Sequence, residues 1–180
     1  MMTKMTENEA LVLDQIKQMH YTDLEGMWES NAADMLMHKS ALGKQLIDCI
    51  EGNVIDNVLD LLLKLMGLMF QLDHDYRRNI ENFQATYVFT DFSGDFYTAV
   101  EFNNGKMKVT NQKVTDPTFK LIFRDTNALI SVLFQGATDI LNAMLNQEVD
   151  FEGNINYMSK FGYMALHPVL ELTGKTAYAK

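Results

Sequence analysis

The 180-residue sequence predicts an α+β fold, with an all-helical N-terminal region (1–81) ahead of a mixed domain (82–174). Three observations lead to this prediction. Apolar residues recur at helical spacing through the first eighty positions. Short alternating segments separated by turn signals follow from 85 to 123. A fifth strand and a last helical segment complete the domain, and we expect the final residues, 175–180, to be a disordered tail.

The N-terminal region carries three helical segments. Capping-box signals at Thr6 and Thr22 predict where the first two begin, and Gly52-Asn53 predicts where the second ends. The third helix is predicted over 53–80. Its apolar residues form a heptad-type seam with further apolar residues beside it, so it must be covered on more than one side. Either a homodimer interface or the preceding helices could cover this seam, which consists of Ile55, Val58, Leu62, Leu65, Met69, Leu72 and Tyr76.

Four strands are predicted next, over residues 85–92, 95–102, 106–110 and 119–124. Ser93-Gly94 is a turn signal between the first two strands. Asn103-Asn104-Gly105 is a strong hairpin signal between the second and third, because asparagine and glycine tolerate a positive φ. The spacing of these turns predicts an antiparallel meander rather than parallel β-α-β units.

Two short helices are predicted over 126–135 and 138–146, with Gly136 between them as a C-cap. Residues 148–152 alternate apolar and acidic side chains and predict the fifth strand. The last helix is predicted over 156–172. Because proline lacks the backbone N–H that a helix interior needs, we expect this helix to be bent or broken near Pro168.

Composition narrows the possible functions. The formal net charge of −9 repels phosphate backbones, so nucleic acid is not an expected partner. The most apolar region, 54–72, is interrupted by charged residues, which argues against stable insertion into a membrane. The N-terminus lacks the apolar stretch of a signal peptide. The single cysteine, Cys49, allows no intrachain disulfide, and we expect a cytoplasmic protein with a buried, inert thiol.

Catalytic motifs are missing from the sequence. There is no Gly-x-Ser-x-Gly motif, no Walker-type loop and no dinucleotide-binding glycine pattern. Asp73, His74 and Asp75 are potential metal ligands, but consecutive helix positions point in different directions and do not converge on one ion. We therefore expect no catalytic residue, no metal site and no cofactor, and a protein that is not an enzyme.

The order of the turn and helix signals resembles the sterol-carrier-protein type-2 lipid-transfer domain over about residues 82–172. That resemblance implies a five-stranded antiparallel sheet covered on one face by helices, with an apolar tunnel for a fatty acid, an acyl-CoA or a sterol-like lipid. The segments that carry it are 92–95 (Phe-Ser-Gly-Asp), 104–105 (Asn-Gly), 116–119 (Asp-Pro-Thr-Phe), 133–136 (Leu-Phe-Gln-Gly) and 149–154 (Val-Asp-Phe-Glu-Gly-Asn).

The leading hypothesis is non-catalytic binding and carriage of an apolar small molecule between the sheet and the C-terminal helix. The alternative is a protein-interaction or regulatory module that keeps the lipid-carrier fold without a ligand. The sequence alone does not distinguish a filled aromatic core from a hollow one. The predicted ligand-binding residues are Phe102, Phe119, Leu121, Phe123, Leu133, Phe151, Tyr157, Met158, Phe161 and Met164.

Overall fold

The structure of the protein is a computed structural model that describes residues 32–52, 58–134 and 142–173. The described residues form two compact units. One contains the residues up to Arg77 together with those from Pro168 onward, and the other contains Arg78–His167. The capping signals at Thr6 and Thr22, the C-cap at Gly136 and the predicted tail at 175–180 lie outside the described residues.

The first unit is helical. Helix α1 (Ala32–Gly52) packs against α2 (Val58–Leu72), and a single turn, α3 (His74–Arg77), follows. The predicted long helix over 53–80 is therefore too long at its C-terminal end. The Asp73 carboxylate accepts hydrogen bonds from the backbone N–H groups of Asp75 (2.8 Å) and Tyr76 (3.1 Å). An aspartate in this position caps a new helix, so the chain restarts at His74 instead of continuing α2.

Most of the described heptad-type seam is buried within a single chain, and its residue Leu72 is half-buried. Val58, Leu62, Leu65 and Met69 have no exposed surface, and Tyr76 is 2% exposed. The described part of the seam therefore leaves no apolar stripe in water, and this favours the intramolecular alternative over a dimer through this helix. A homodimer through 53–80 stays a prediction.

The second unit is built on a five-stranded sheet with the strand order β3-β2-β1-β4-β5. The prediction of a purely antiparallel meander is wrong, because β1 and β4 pair in parallel while the other three pairs are antiparallel. The five strands are β1 (Gln84–Asp91), β2 (Tyr97–Asn103), β3 (Lys106–Thr110), β4 (Phe119–Phe123) and β5 (Val149–Gly153).

The path from β3 to β4 explains the parallel pair. Instead of turning back beside β3, residues 111–118 cross the sheet and deliver β4 to the free edge of β1. The backbone N–H of Val114 donates to the Tyr97 hydroxyl on β2 (2.8 Å), and the N–H of Thr86 on β1 donates to the Thr118 hydroxyl (3.0 Å). These two bonds hold the crossing segment. The crossing lets β4 run in the same direction as β3, which is also the direction of β1, so β1 and β4 are parallel.

The turn predicted at Asn104-Gly105 is confirmed. The two residues have φ values of 47° and 85° and join β2 to β3 where Asn103 pairs with Lys106. Two successive positive φ values define the type I′ turn, whose twist matches that of the flanking strands. The sequence Asn-Gly therefore fixes the register of this hairpin.

The helices of the second unit begin at capping side chains. The Asp125 carboxylate accepts from the N–H of Ala128 (3.0 Å) at the start of α4 (Thr126–Phe134). The Asn154 side chain accepts from the N–H of Asn156 (2.9 Å) at the start of α5 (Ile155–Thr173). Residues 142–145 are also helical, and α5 continues through Pro168 without the predicted break. No helix in the described ranges is long and apolar enough to cross a membrane.

Candidate functional site

One face of the sheet, here named the inner face, carries half of the predicted ligand-binding residues. It is the face on which Tyr87 and Phe89 contact Phe161 of α5. Strand pairing places the side chains of β4 at 119, 121 and 123 on this face, and those of β5 at 149 and 151 beside them. Phe151 and Tyr157 are half-buried, and the other eight predicted residues are buried: Phe102, Phe119, Leu121, Phe123, Leu133, Met158, Phe161 and Met164.

Tyr87 lies at the centre of an aromatic cluster on the inner face. Its ring centroid is 5.2 Å from that of Phe161, 5.7 Å from Phe102 and 6.1 Å from Phe119. The Phe89 and Phe161 centroids are 4.9 Å apart. These distances and the tilted ring planes are those of favourable aromatic pairs. The cluster therefore packs side chains of β1, β2 and β4 against α5.

This cluster is filled rather than hollow. Phe119, Phe161 and Met164 have no accessible surface, so they do not line a space wide enough for a water molecule. A ligand among them would require the side chains to move apart. That these residues bind a ligand stays a prediction.

The Tyr87 hydroxyl is the polar atom of the cluster. It donates a hydrogen bond to the backbone carbonyl oxygen of Tyr157 in the first turns of α5 (3.1 Å). Burial, with a smaller contribution from Tyr157, raises the pKa of Tyr87 well above its ordinary value. The phenol is therefore neutral at physiological pH and acts as a donor that ties β1 to α5.

A cation lies at the edge of the same cluster. The Lys160 ammonium is 4.1 Å from the centroid of the Phe83 ring, and that ring is 6.1 Å from the Tyr157 ring. A lysine over an aromatic face is attracted by the ring quadrupole. Lys160 therefore covers the aromatic edge with its stem while its charge remains near solvent.

Space for a ligand is found at one end of the sheet. A cavity of about 470 Å³, here named the end cavity, lies beyond the last residues of β1 and β4 and beside the first residues of β5 and the helical residues 142–145. Its volume falls within the range of small-molecule sites. The described side chains around it are Phe92, Arg124, Met144, Gln147, Val149 and Asp150.

The end cavity combines an apolar floor with a charged rim. Phe92 (52% exposed) and Met144 supply the apolar surface, whereas Val149 is 2% exposed and adds almost none. On the rim, Arg124 forms ion pairs with Asp125 (Nε to Oδ2, 3.1 Å) and with Glu148 (Nη2 to Oε1, 3.6 Å).

Two carboxylates near the rim are held in their charged form. The hydrogen bond from the Ala128 N–H, assisted by Arg124, lowers the pKa of Asp125. The Ser93 hydroxyl donates to the Asp91 carboxylate (2.6 Å) and lowers the pKa of Asp91, which precedes Phe92 in the chain. The rim is therefore acidic at neutral pH even though it contains a guanidinium group.

The end cavity lies beside a predicted ligand-binding residue and is lined by residues that the sequence analysis missed. Val149 lines the cavity and pairs directly with Phe123, which the sequence identified. Phe92 was assigned to a strand, yet it follows the last residue of β1. Its position just before the Ser93-Gly94 turn was the available signal that its ring leaves the core. Nothing in the sequence distinguished Met144 from the neighbouring apolar residues.

A second cavity, of about 360 Å³, lies along β1 and β2 and is mainly polar. Phe102 is the predicted ligand-binding residue among its lining, which otherwise includes Gln84, Thr86, Glu101 and Asn103. Because the Phe102 side chain is 1% exposed, its ring contributes almost no surface to this space. This cavity does not suit an apolar ligand.

Asp73, His74 and Cys49 are residues that the sequence analysis considered for metal binding or for nucleophilic chemistry. Asp73 caps α3, and His74 beside it is largely exposed, with 73% of its side chain in solvent. Cys49 is a buried cysteine on α1, as expected for a small apolar side chain.

Comparison with solved structures finds several similar proteins. The UbiJ-SCP2 ubiquinone synthesis protein is 13% identical with a TM-score of 0.45, and the match covers 64% of this chain and 95% of that protein. A conserved hypothetical protein from Thermus thermophilus, described as possibly a sterol carrier protein, is 12% identical with a TM-score of 0.39, over 66% of this chain and 89% of its own. The stereoselective inverting sec-alkylsulfatase Pisa1 from Pseudomonas sp. is 12% identical with a TM-score of 0.43, over 86% of this chain and 30% of its own.

The names of the first two structures refer to SCP2 and to a possible sterol carrier protein, in line with the resemblance that the sequence shows. No protein-family model and no curated protein matches the sequence. Because the TM-scores lie below 0.5, the proposals below rest on this chain's own residues.

Proposed function

We propose that the second unit binds an apolar small molecule without catalysing a reaction on it, and that the ligand reaches the protein at the end cavity. The observation that carries the proposal is the continuity between this cavity and the inner face. Val149, which is 2% exposed, borders the cavity and is the direct strand partner of Phe123. An apolar chain seated on Phe92 and Met144 therefore lies at the margin of the aromatic inner face.

Burial of hydrocarbon supplies the affinity in this proposal. Each methylene removed from water contributes about 0.8 kcal/mol before the cost of ordering the ligand. A longer chain would gain more by parting the side chains of the inner face. Met158 and Met164 of α5 are buried, and unbranched methionine side chains adapt to changed shapes at low cost.

The side chains that line the end cavity do not favour catalysis. Among the described residues around the end cavity there is no serine, cysteine, histidine or lysine to act as a nucleophile or to exchange protons near neutral pH. The guanidinium of Arg124 is engaged by two carboxylates. Such a lining suits a ligand that enters and leaves unchanged.

The proposal is tested with the full chain purified gently and analysed by native mass spectrometry, followed by titration with 1-decanol. We expect co-purified apolar adducts or saturable binding of the alcohol. Met144→Trp should fill the cavity floor and reduce the affinity for decanol about tenfold or more, since a bulky side chain takes the place of the ligand.

The matched control is Leu145→Trp. Leu145 is the next residue on the same helical turn, is 82% exposed and does not line the cavity. It should leave decanol binding unchanged. A clean apo mass together with no saturable uptake of decanol would contradict the proposal, and so would equal losses in the two tryptophan variants.

A second candidate function has one observation in its favour. Eight of the ten predicted ligand-binding residues are buried in a filled core, and Leu145 and Phe92 are exposed large apolar residues near one end of the unit. This arrangement suits an interaction module that binds a protein partner without a ligand. Failure of every small apolar molecule to bind, in a folded protein, would favour this second candidate.

A further inference from the structure

We infer that the end cavity selects amphiphiles with a cationic head, such as an alkylammonium group, over those with a carboxylate. This inference rests on the proposed function and names the class of its ligand. It is carried by three features that meet at the cavity: an apolar floor, an exposed aromatic ring and a rim on which carboxylates outnumber cations.

The guanidinium of Arg124 does not offer a free positive charge to a ligand. Its Nε lies 3.1 Å from the Asp125 carboxylate, and its Nη2 lies 3.6 Å from the Glu148 carboxylate. Two negative charges thus oppose one positive charge before any ligand arrives. A ligand carboxylate at this rim would meet a guanidinium that is already paired, together with two like charges.

Asp150 makes the rim more acidic. Its carboxylate lines the cavity and accepts a hydrogen bond from the backbone N–H of Phe151 (2.8 Å), and no cation within the described ranges forms an ion pair with it. Asp91, which directly precedes Phe92, adds another negative charge. The resulting field attracts a cationic head and repels an anionic one, in the same sense as the net charge of −9 on the whole chain.

Phe92 supplies the second contact for a cation. Its side chain lines the cavity, is 52% exposed and has no aromatic partner in the part of the chain that the structure describes. An ammonium group over such a ring gains from the ring quadrupole, and a quaternary ammonium has the apolar surface to match. A carboxylate has no equivalent contact with the face of a ring.

The test compares three ligands with the same tail on the full chain: decyltrimethylammonium, 1-decanol and decanoate, each titrated below its micelle concentration. We expect the cation to bind best and the carboxylate worst, with about a tenfold difference in affinity between them. Added salt should reduce the advantage of the cation, because rim charges are screened. Equal affinities for all three ligands would overturn this inference and leave the proposed function standing.

Three variants test which side chains cause the preference for a cationic head. Asp150→Asn should weaken cation binding about threefold, as expected for one partly exposed charge, and should change decanol binding less than cation binding. Glu152→Gln is the matched control, because it neutralises a carboxylate on the same strand that is paired with Lys120 (2.9 Å) and does not line the cavity. Phe92→Leu should weaken cation binding more than decanol binding.

The remaining outcomes are also decisive. Tightest binding of decanoate would overturn the inference, and so would equal effects of Asp150→Asn and Glu152→Gln on cation binding. Binding of none of the three ligands by the folded protein would overturn the proposed function and this inference with it.

Discussion

The centre of the inner face and the end cavity use the same kinds of side chain for different purposes. At the centre, Phe161 of α5 reaches Tyr87 and Phe89 at centroid distances of 5.2 and 4.9 Å and is fully buried. At the end, Phe92 follows the last residue of β1 and leaves half of its surface in water. The residue type does not decide between core and site, because what matters is whether neighbouring elements cover the side chain.

The comparison predicts that removing the Phe161 ring lowers the stability of the protein far more than removing the Phe92 ring. Phe161→Ala should lower the free energy of unfolding by about 3–5 kcal/mol, because the lost ring leaves a void between β1 and α5. Phe92→Ala should change it by less than about 0.5 kcal/mol, since its ring is largely solvated. Urea denaturation of both variants, followed by circular dichroism, measures the two values.

A small loss of unfolding free energy in Phe161→Ala would contradict this contrast between the two regions. If that variant lost less than about 1 kcal/mol, the centre of the inner face would tolerate a hole, as a natural ligand cavity does. The filled cluster would then be a closed form of the predicted tunnel, and the site would extend to the centre of the sheet.

The second prediction concerns the backbone that closes the centre. Gly153 pairs with Phe119 and has a φ of +108°, and a Cβ there would stand 2.6 Å from the Thr118 carbonyl oxygen and 3.2 Å from the Phe119 Cα. Gly153→Ala should therefore cost about 2 kcal/mol or more, because both neighbours are backbone atoms.

Gly162→Ala is the control for that substitution. Gly162 lies inside α5, and a Cβ there would meet nothing within 4 Å. Alanine should stabilise the helix by about 0.5–1 kcal/mol. A thermal unfolding midpoint that falls for Gly153→Ala and rises for Gly162→Ala would support the assigned register of β5, whereas equal shifts would contradict it.

The sequence predicted the local features of the second unit and missed the non-local ones. The Asn104-Gly105 turn is specified by two residues and was predicted correctly. The parallel pairing of β1 with β4 depends on where a crossing segment delivers a strand, and the alternation of Phe119, Leu121 and Phe123 is the same in either pairing. The positions of the strands could therefore be predicted from the sequence, whereas their order in the sheet could not.

The same distinction applies to the candidate site. Burial of the inner-face residues follows from alternation, which a sequence displays directly. The end cavity depends on the gap between the chain after β1, the end of β4 and the helical residues 142–145, which are distant in sequence. The early end of α2 was missed for a local reason, because Asp73 was considered as a metal ligand and not as a cap.

The last prediction concerns the buried Tyr87 hydroxyl at the centre. Tyr87→Phe removes the hydrogen bond to the Tyr157 carbonyl and should cost about 1 kcal/mol at neutral pH, because that carbonyl belongs to a helix and the lost bond is a single neutral one. Urea denaturation at pH 7 measures this loss.

The same substitution should also change the response of stability to alkaline pH. The pKa of Tyr87 is raised in the folded protein, so above about pH 10 the unfolded chain loses this proton while the folded chain keeps it. The stability that the neutral phenol contributes is complete below that pH and is lost as the pH rises further. Urea midpoints measured on both sides of about pH 10 should therefore fall more steeply for the natural protein than for Tyr87→Phe. Tyr163→Phe, which changes a ring that is 62% exposed, should keep the natural slope. Identical slopes for the natural protein and Tyr87→Phe would mean that solvent reaches the Tyr87 hydroxyl. The centre of the inner face would then be as accessible to solvent as the end cavity.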